Sequence, residues 1–460
     1  MKKGDFMENI IIIGAIAAGT KAAAKAKREN PDLNITIFSD DEYISYSACG
    51  LPFYVGGEFA DYKQLVEYTV EEFEKDMNVE VHTLHRAISI DTKANSVKIK
   101  NLKTGEIFDR NYTKLLIATG ARPFLPKITG DEAKNIFKIR NLQDAFDIIE
   151  AMKKSKKAVV IGGGYIGIEM FEAFAKNGLD VKIIEKLPQI MPALDEDVAK
   201  FLKEMIEEKY PDSIIVSDSV KSFISDEEGN LKQVELESGR LLEADMALLS
   251  LGVRPNSEIA KEAGIEIGVA GAIKVDKQMR TSVSNVFAAG DCATKINLVT
   301  GEPVWVPLGS TANKEGRVAG SVLAGKEAEF EGILGSAITK FFDIKISMTG
   351  INERTAKSLG YDFATTIIHS KDKAGYMHDV QPICIKMIAD KKTKRLLGAQ
   401  GVGYGDVDKR INVIASALSG KMTVKDYINI DLTYAPPFSR AIDITTTAAY
   451  TLDKILEKKG

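Results

Sequence analysis

The sequence predicts an α/β protein built on two βαβ units, and three observations predict it. Ile10 to Phe38 and Ala158 to Glu185 repeat one plan: apolar strand, glycine-containing turn, helix, strand. Each stretch is about 30 residues long, the size of a βαβ unit with a right-handed crossover. Length and composition agree: 460 residues suggest roughly three domains at about 150 residues each. With 45% hydrophobic and 27% charged residues, the chain has ample apolar surface for several cores.

The same numbers exclude some classes. Lys plus Arg is 61 and Asp plus Glu is 65, a net charge of −4, so no nucleic-acid partner is expected. Three cysteines cannot form a disulfide framework, which points to a reducing, cytoplasmic compartment. Lys2 and Lys3 followed by the apolar run Ile10 to Gly19 imitate a signal peptide, but Asp5 and Glu8 spoil its basic leader. That run is about half of the roughly 20 residues needed to span a bilayer. It continues into an Ala- and Lys-rich helix, Thr20 to Arg28, so neither a leader nor a membrane segment is expected.

The first unit carries Gly14-Ala15-Ile16-Ala17-Ala18-Gly19, which keeps the first and third glycines of G-x-G-x-x-G and has Ile16 at the second. Its next strand, Asn34 to Phe38, ends in Ser39-Asp40-Asp41, and Asp40 is the candidate acid for a ribose. Val79 to Tyr112 alternates apolar and polar residues around turns at Lys93-Ala94-Asn95 and Lys103-Thr104-Gly105, a β-meander. Its two histidines, His82 and His85, read as surface residues. Leu115 to Gly120 is a buried strand.

The second unit has the complete motif at Gly162, Gly164 and Gly167, after an apolar strand and at the start of a helix. The first glycine permits the turn, the second lets backbone approach a pyrophosphate, and the third lets helix and strand pack. The anion then meets the free N–H groups of the helix N-terminus. Glu185, 23 residues after Gly162, suits an unphosphorylated ribose and favours NAD over NADP. Asp195 to Lys209 has helical periodicity, and Leu231 to Gly252 returns to strands. Beyond Gly325, strands at Ala337 to Thr349, Phe363 to His369 and Ile383 to Ala389 lead to a helix at Lys409 to Leu418.

Asn285 to Cys292 ends a strand in Gly290-Asp291. A carboxylate there suits the ribityl and phosphate end of a flavin, and Gly290 allows close approach. Ser310 to Ala319, including Ala312, forms a helix whose first amides face the flavin pyrimidine. Cys49 lies in Ser45-Tyr46-Ser47-Ala48-Cys49-Gly50-Leu51-Pro52. Pro52 fits the first turn of a helix and Ser45 or Ser47 its cap, which puts Cys49 where a helix dipole favours thiolate. Tyr54 stands where a C-x4-C partner would be, so a lone thiolate alternates with a mixed disulfide, persulfide or sulfenate. Read locally, a small buried side chain fits Cys49 as well; Cys292 and Cys384 read as core. The four histidines form no metal-site spacing and no Ser-His-Asp arrangement.

Taken together, the two glycine turns, Ala118-Thr119-Gly120-Ala121-Arg122-Pro123, Gly252-Val253-Arg254-Pro255-Asn256, Ala289-Gly290-Asp291 and the Cys49 segment closely resemble the pyridine nucleotide-disulfide oxidoreductase family. The resemblance covers essentially the whole chain. It implies two Rossmann-like domains, for FAD (1–120 and 253–331) and NAD(P)H (121–252), and an α+β dimerisation domain (332–460); no appended rhodanese domain is expected. Within the family, the single-cysteine branch of coenzyme A disulfide reductase, NADH oxidase and NADH peroxidase fits. Ser45 to Tyr54 and Asp431-Leu432-Thr433-Tyr434-Ala435-Pro436-Pro437-Phe438-Ser439 are similar to the coenzyme A disulfide reductase segments.

The resemblance implies further roles. Ser45, Thr119, Gly120 and Arg122 join Gly14, Gly19, Gly290, Asp291 and Ala312 around the flavin. Tyr165 gates the nicotinamide site, and Glu169 faces the flavin from the same helix. Tyr434 reaches the redox cysteine of the other subunit of a homodimer. Tyr376 is the second tyrosine; Met377-His378-Asp379 after it depart from the usual Tyr-Pro-Gly. Peroxidases and water-forming oxidases of the branch carry a His where this chain has Ala17, and no histidine follows His378 to form a C-terminal His-Glu pair. A low-molecular-weight disulfide, persulfide or polysulfide is therefore the expected substrate, with NADH as donor and NADPH possible. The rival readings are an NADH oxidase working through a sulfenate, a reductase of a small electron carrier with a structural Cys49, and a non-enzymatic NADH-binding redox sensor.

Overall fold

The computed structural model describes residues 8–458; Lys2, Lys3 and Asp5 lie outside the described residues. Three five-stranded sheets organise them. The first is parallel, in the order Val286–Ala288, Lys114–Ile117, Asn9–Ile13, Asn34–Phe38, Glu80–His82. Its inner strands are nearly continuous Ile and Leu because both faces are covered. The helices Ala18–Glu29 and Gly309–Leu323 lie together on one face. A Cβ on Gly316 or Gly320 would come within 2.5 or 2.4 Å of the carbonyl oxygens of Ala18 and Ala22. The alanine-rich composition of the first helix thus serves backbone-to-backbone contact, where any larger side chain would wedge the helices apart.

The meander is smaller than the alternation predicts. His85–Asp91, Ser96–Asn101 and Ile107–Asn111 form it, whereas Glu80–His82 leaves to extend the first sheet in parallel register with Thr36–Phe38. Period-two alternation reports a half-buried strand but not which sheet receives it. His82 consequently stacks on Phe38 with centroids 5.1 Å apart, and His85 lines an internal cleft. Neither is a free surface histidine.

The second sheet repeats the parallel plan in the order Ile214–Val216, Asp180–Glu185, Lys157–Ile161, Met246–Leu249, Ile136–Phe137. Leu231 to Gly252 divides between it and a three-stranded antiparallel sheet. Asp195 occupies the N-cap position of the helix Glu196–Lys209. The third sheet is antiparallel: Ala337–Phe341, Ile344–Gly350, Leu396–Gly403, Pro382–Asp390, Phe363–Lys371. Ala337 to Thr349 is therefore a hairpin, turned at Phe342 with φ 51°, not one strand. Val407–Ser419 and Ile444–Glu457 cover this sheet, the latter a helix the sequence reading did not anticipate.

The second and third units are locked together by buried polar contacts. Lys386 Nζ, 3% exposed, pairs with Asp197 at 2.7 Å, Asp195 at 3.4 Å and Glu353. Asp197 and Glu353 are partly exposed and share their charge with solvent, so Asp195, 6% exposed, is the carboxylate that depends most on Lys386. A second set joins the strand Ala337–Phe341 to the helix Tyr165–Lys176: Lys340 Nζ and the Phe342 N–H both donate to Glu172. Among the described residues no helix is long and apolar enough to cross a membrane, and no group of three His, Cys, Asp or Glu could hold a metal.

Candidate functional site

One cleft of about 1860 Å³ runs through the molecule and is lined by both glycine turns, the Thr119-Gly120 crossover, Asp291, the start of the helix Gly309–Leu323, and Cys49. The turns share a geometry. The N–H of Gly14 donates to Phe38 and that of Gly162 to Ile184, each at 2.8 Å, so each turn is tied to the end of the neighbouring strand. Gly14 (φ 108°) and Gly162 (φ 104°) adopt backbone that side chains avoid. Gly164 has open space where a Cβ would stand and begins the helix Tyr165–Lys176 with no side-chain cap, leaving its first amides free for an anion.

Glu185 is committed to backbone: Oε2 accepts the Gly163 N–H and Oε1 the Leu187 N–H, both at 2.8 Å. Asp40 lines the cleft at the end of the first unit and pairs with Arg86 at 3.1 Å. Thr119 donates to the Asn256 carbonyl and accepts through its own carbonyl from Asn256 Nδ2, which fastens the two crossing strands. Arg122 is held by Asn256 and, bidentately, by Glu258.

The Cys49 loop is anchored to the first turn. The N–H of Ser45, a residue forced to φ 48°, donates to Ala15, and the N–H of Ser47 donates to Leu65. Tyr46 donates to Asp41 Oδ2 at 2.9 Å, and the Tyr43 N–H to Asp41 Oδ1. Neither Ser45 nor Ser47 caps a helix with its side chain, because Cys49 sits in a 3₁₀ turn, Ala48–Gly50, ahead of a five-residue helix. Pro52 does occupy the first turn of that helix. The helix N-terminus beside the sulfur is a distant one: a Cβ on Gly309 would lie 3.7 Å from Cys49 Sγ.

Cys49 is exposed to the cleft, whereas Cys292 and Cys384 are fully buried. The thiol is not poised as thiolate here. Desolvation, then the carboxylates of Glu169 and Asp291, push it above the ordinary thiol range, against the opposing Arg140. A single turn of 3₁₀ structure and a five-residue helix have too small a dipole to outweigh two carboxylates.

Two of those carboxyl groups are themselves perturbed. Burial pushes Glu169 up to about 7, although the Thr339 hydroxyl donates to its Oε1 at 2.7 Å. Burial likewise raises Asp291, whose Oδ1 is buried with no protein partner. Behind it, the fully buried Glu315 accepts the Gly290 N–H at 2.7 Å and faces Lys295 at 3.5 Å. Tyr165 borders the same cleft, its hydroxyl raised to about 12 by burial and then by Glu169. Ala312 is buried beside Gly290 and lines the cleft.

Tyr434 and Tyr376, 50% and 73% exposed, do not line the cleft of their own chain. They are neighbours: Tyr376 is raised by desolvation and then by the Tyr434 hydroxyl. Sequence reasoning missed Arg140, the Lys295–Glu315 pair, Asp41 and Thr339. Thr339 meets Glu169 across 170 residues, which no local signal marks; Asp41 and Tyr46 stand 5 residues apart and Lys295 and Glu315 also lie close in the chain, but no motif singles them out.

Comparison with known proteins adds to this geometry. The family described as pyridine nucleotide-disulphide oxidoreductase matches residues 8–304, and its dimerisation domain matches 336–445. An NAD(P)H coenzyme A polysulfide/persulfide reductase of Pyrococcus horikoshii is 38% identical over 95% of this chain and 96% of its own. An NADH oxidase of Methanocaldococcus jannaschii is 34% identical over 98% and 99%. The solved structure of an NAD-dependent persulfide reductase from A. fulgidus superposes with a TM-score of 0.94 at 38% identity, covering 98% of this chain and 84% of that one. With both parts of the family present and a cleft uniting two nucleotide-type turns with one accessible thiol, the chain belongs to the pyridine nucleotide-disulphide oxidoreductases.

Proposed function

We propose that this protein is an FAD-dependent NAD(P)H oxidoreductase that reduces a persulfide, polysulfide or disulfide of the coenzyme A type through Cys49. The observation that carries the reading is the single cleft in which Cys49, the only accessible thiol, meets both glycine turns and Asp291. The residues fit a flavin. Asp291 Oδ1 is a buried acceptor without a donor, and Gly290 and Ala312 leave only small atoms beside it. A flavin bound there supplies electron transfer from the nicotinamide hydride to sulfur.

The FAD domain is assigned to 1–120 and 253–331, the NAD(P)H domain to 121–252 and the dimerisation domain to 332–460. Gly14, Gly19, Asp40, Ser45, Thr119, Gly120, Arg122, Gly290, Asp291 and Ala312 hold the flavin; Gly162, Gly164, Gly167 and Glu185 hold the nicotinamide nucleotide, with Tyr165 and Glu169 at the junction. Cys49 loses its proton and, as thiolate, attacks a substrate S–S bond, forms a mixed disulfide or persulfide and expels one thiolate, which takes up a proton as it leaves. Two electrons from NAD(P)H then cleave that bond, restoring the Cys49 thiolate and releasing the second thiolate or sulfide. The same cleft is lined by Lys21, Ala24, Arg28, Phe73 and Met77, cationic and apolar walls suited to a long thiol that ends in phosphates.

The exposed Tyr376, Tyr434, Phe438 and Ile442 support a homodimer in which each copy's Tyr434 serves the Cys49 of the other, protonating the departing thiolate. The compartment proposed is the cytoplasm, consistent with three free cysteines.

The test is Cys49→Ser assayed anaerobically with coenzyme A disulfide, polysulfide and an artificial dye. Disulfide and polysulfide turnover is expected to fall at least about 10³-fold, the scale of losing a nucleophile, while dye reduction persists. Undiminished turnover with sulfur substrates would refute the reading. Strong four-electron reduction of oxygen by the parent protein would favour an oxidase.

A further inference from the structure

We propose that Thr339, a residue of the third sheet outside the nucleotide-binding units, is a positioning residue for electron transfer: its hydroxyl anchors the Glu169 carboxyl in the wall that Tyr165 and Cys49 share. Thr339 Oγ1 donates to Glu169 Oε1 at 2.7 Å across 170 residues of chain, and Thr339 is 5% exposed. The contact does not stand alone. Lys340, on the same strand, and the backbone N–H of Phe342, in the turn that follows it, donate to Glu172 one turn further along the same helix. The strand therefore grips the nicotinamide-side helix at two carboxylates, but only one of them opens on the cleft.

The groups facing Glu169 can be named. On its own helix they are Tyr165 and Glu172; on the redox loop, Cys49; on the third sheet, Thr339 and, through Glu172, Lys340. Lys176, on the helix too, is likewise engaged by Glu172. No cation pairs with Glu169 directly among the described residues, so the Thr339 hydroxyl is its one hydrogen-bond donor. A donor favours the ionised carboxylate, and an ionised Glu169 disfavours a thiolate at Cys49. Removing the hydroxyl leaves Glu169 protonated to higher pH, which relieves Cys49 over that added range. The two titrations are coupled, and Thr339 sets where the coupling acts.

The inference rests on the reading that NAD(P)H reduces a flavin beside Cys49, and the experiment separates the two. In reduced, desalted holoenzyme, alkylation of Cys49 by iodoacetamide is followed from about pH 6 to 8.5; Cys292 and Cys384 are buried, so the label reports Cys49. This arm needs neither acceptor nor nicotinamide. A second arm follows anaerobic reduction of the flavin by NADH over the same range. Thr339→Val is expected to move the limb belonging to Glu169 upward by about one pH unit, the tenfold change of a lost hydrogen bond to a charged group. Alkylation near pH 7.5 then becomes faster and approaches that of Glu169→Gln. Thr339→Ser, which restores the hydroxyl, returns both curves to the parent. Thr339→Ala serves in place of the valine variant if that protein loses its flavin. Superimposable curves for parent and variant, or equal displacement by serine and valine, would overturn the proposal. A displaced alkylation curve with no NADH reduction in any form would leave Thr339 in place and defeat the functional reading instead.

Discussion

The two glycine turns are close to the same object built twice, and where they part company is instructive. In each, the first glycine donates to the neighbouring strand at 2.8 Å with φ near 105°, and a Cβ on the last glycine would fall 1.9 Å (Gly19) or 2.0 Å (Gly167) from the first glycine's carbonyl oxygen. They differ at the middle position, Ile16 against Gly164, and at the acid after the second strand. Asp40 is exposed and paired with Arg86; Glu185 is buried and ties down two amides of its own unit. The outer glycines are demanded by the fold, because no side chain fits between a strand end and a helix start. In the second turn the middle position answers to a ligand, because nothing in the protein lies within 4 Å of a Cβ on Gly164, whereas Ile16 in the first turn packs against the core.

The sharpest way to break that comparison is to fill the crowded corner. Gly19→Ala and Gly167→Ala are both expected to cost about 3 kcal/mol or more through overpacking against backbone, read as a loss of soluble protein or a lower denaturation midpoint. If either variant were as stable as the parent, the assignment of the outer glycines to the fold would fail. Gly164→Ala tests the opposite half. Its φ of −81° suits alanine, so stability is expected to change by less than about 1 kcal/mol. The KM for NADH should nonetheless rise roughly tenfold, as a methyl group enters the path of the pyrophosphate. Ile16→Gly touches the NADH site least: stability is expected to fall by about 1–3 kcal/mol, from backbone entropy and the lost packing of the partly buried Ile16 side chain, while the KM for NADH is unchanged, and a shift in that KM would show that the two turns are not independent.

A second contrast lies between the sulfur and its surroundings. The lone cysteine was legible because Tyr54 occupies the place of a partner, and the buried fates of Cys292 and Cys384 followed from their apolar contexts. Its ionisation was not legible. A nearby proline suggested a helix long enough to stabilise thiolate, whereas burial first, then Glu169, Asp291 and Arg140, each from a separate segment, set the balance. The meander boundary failed for a related reason: Glu80 to His82 carries strand-like alternation, but its partner in the parallel sheet is 44 residues away.

By itself the sequence determined the two βαβ units, their turns, the acid after Gly290 and the lack of a second cysteine beside Cys49. These depend on residues within about 30 positions of one another, where strand periodicity, glycine conformation and helix starts are local physics. Only the tertiary structure decided what those parts face. It committed Glu185 to backbone, placed the helix from Gly309 against Cys49, buried Lys295 with Glu315 behind Asp291, and brought Thr339 to Glu169. Desolvation and charge act through space, so a group's chemistry is set by neighbours whose distance along the chain carries no trace of their contact.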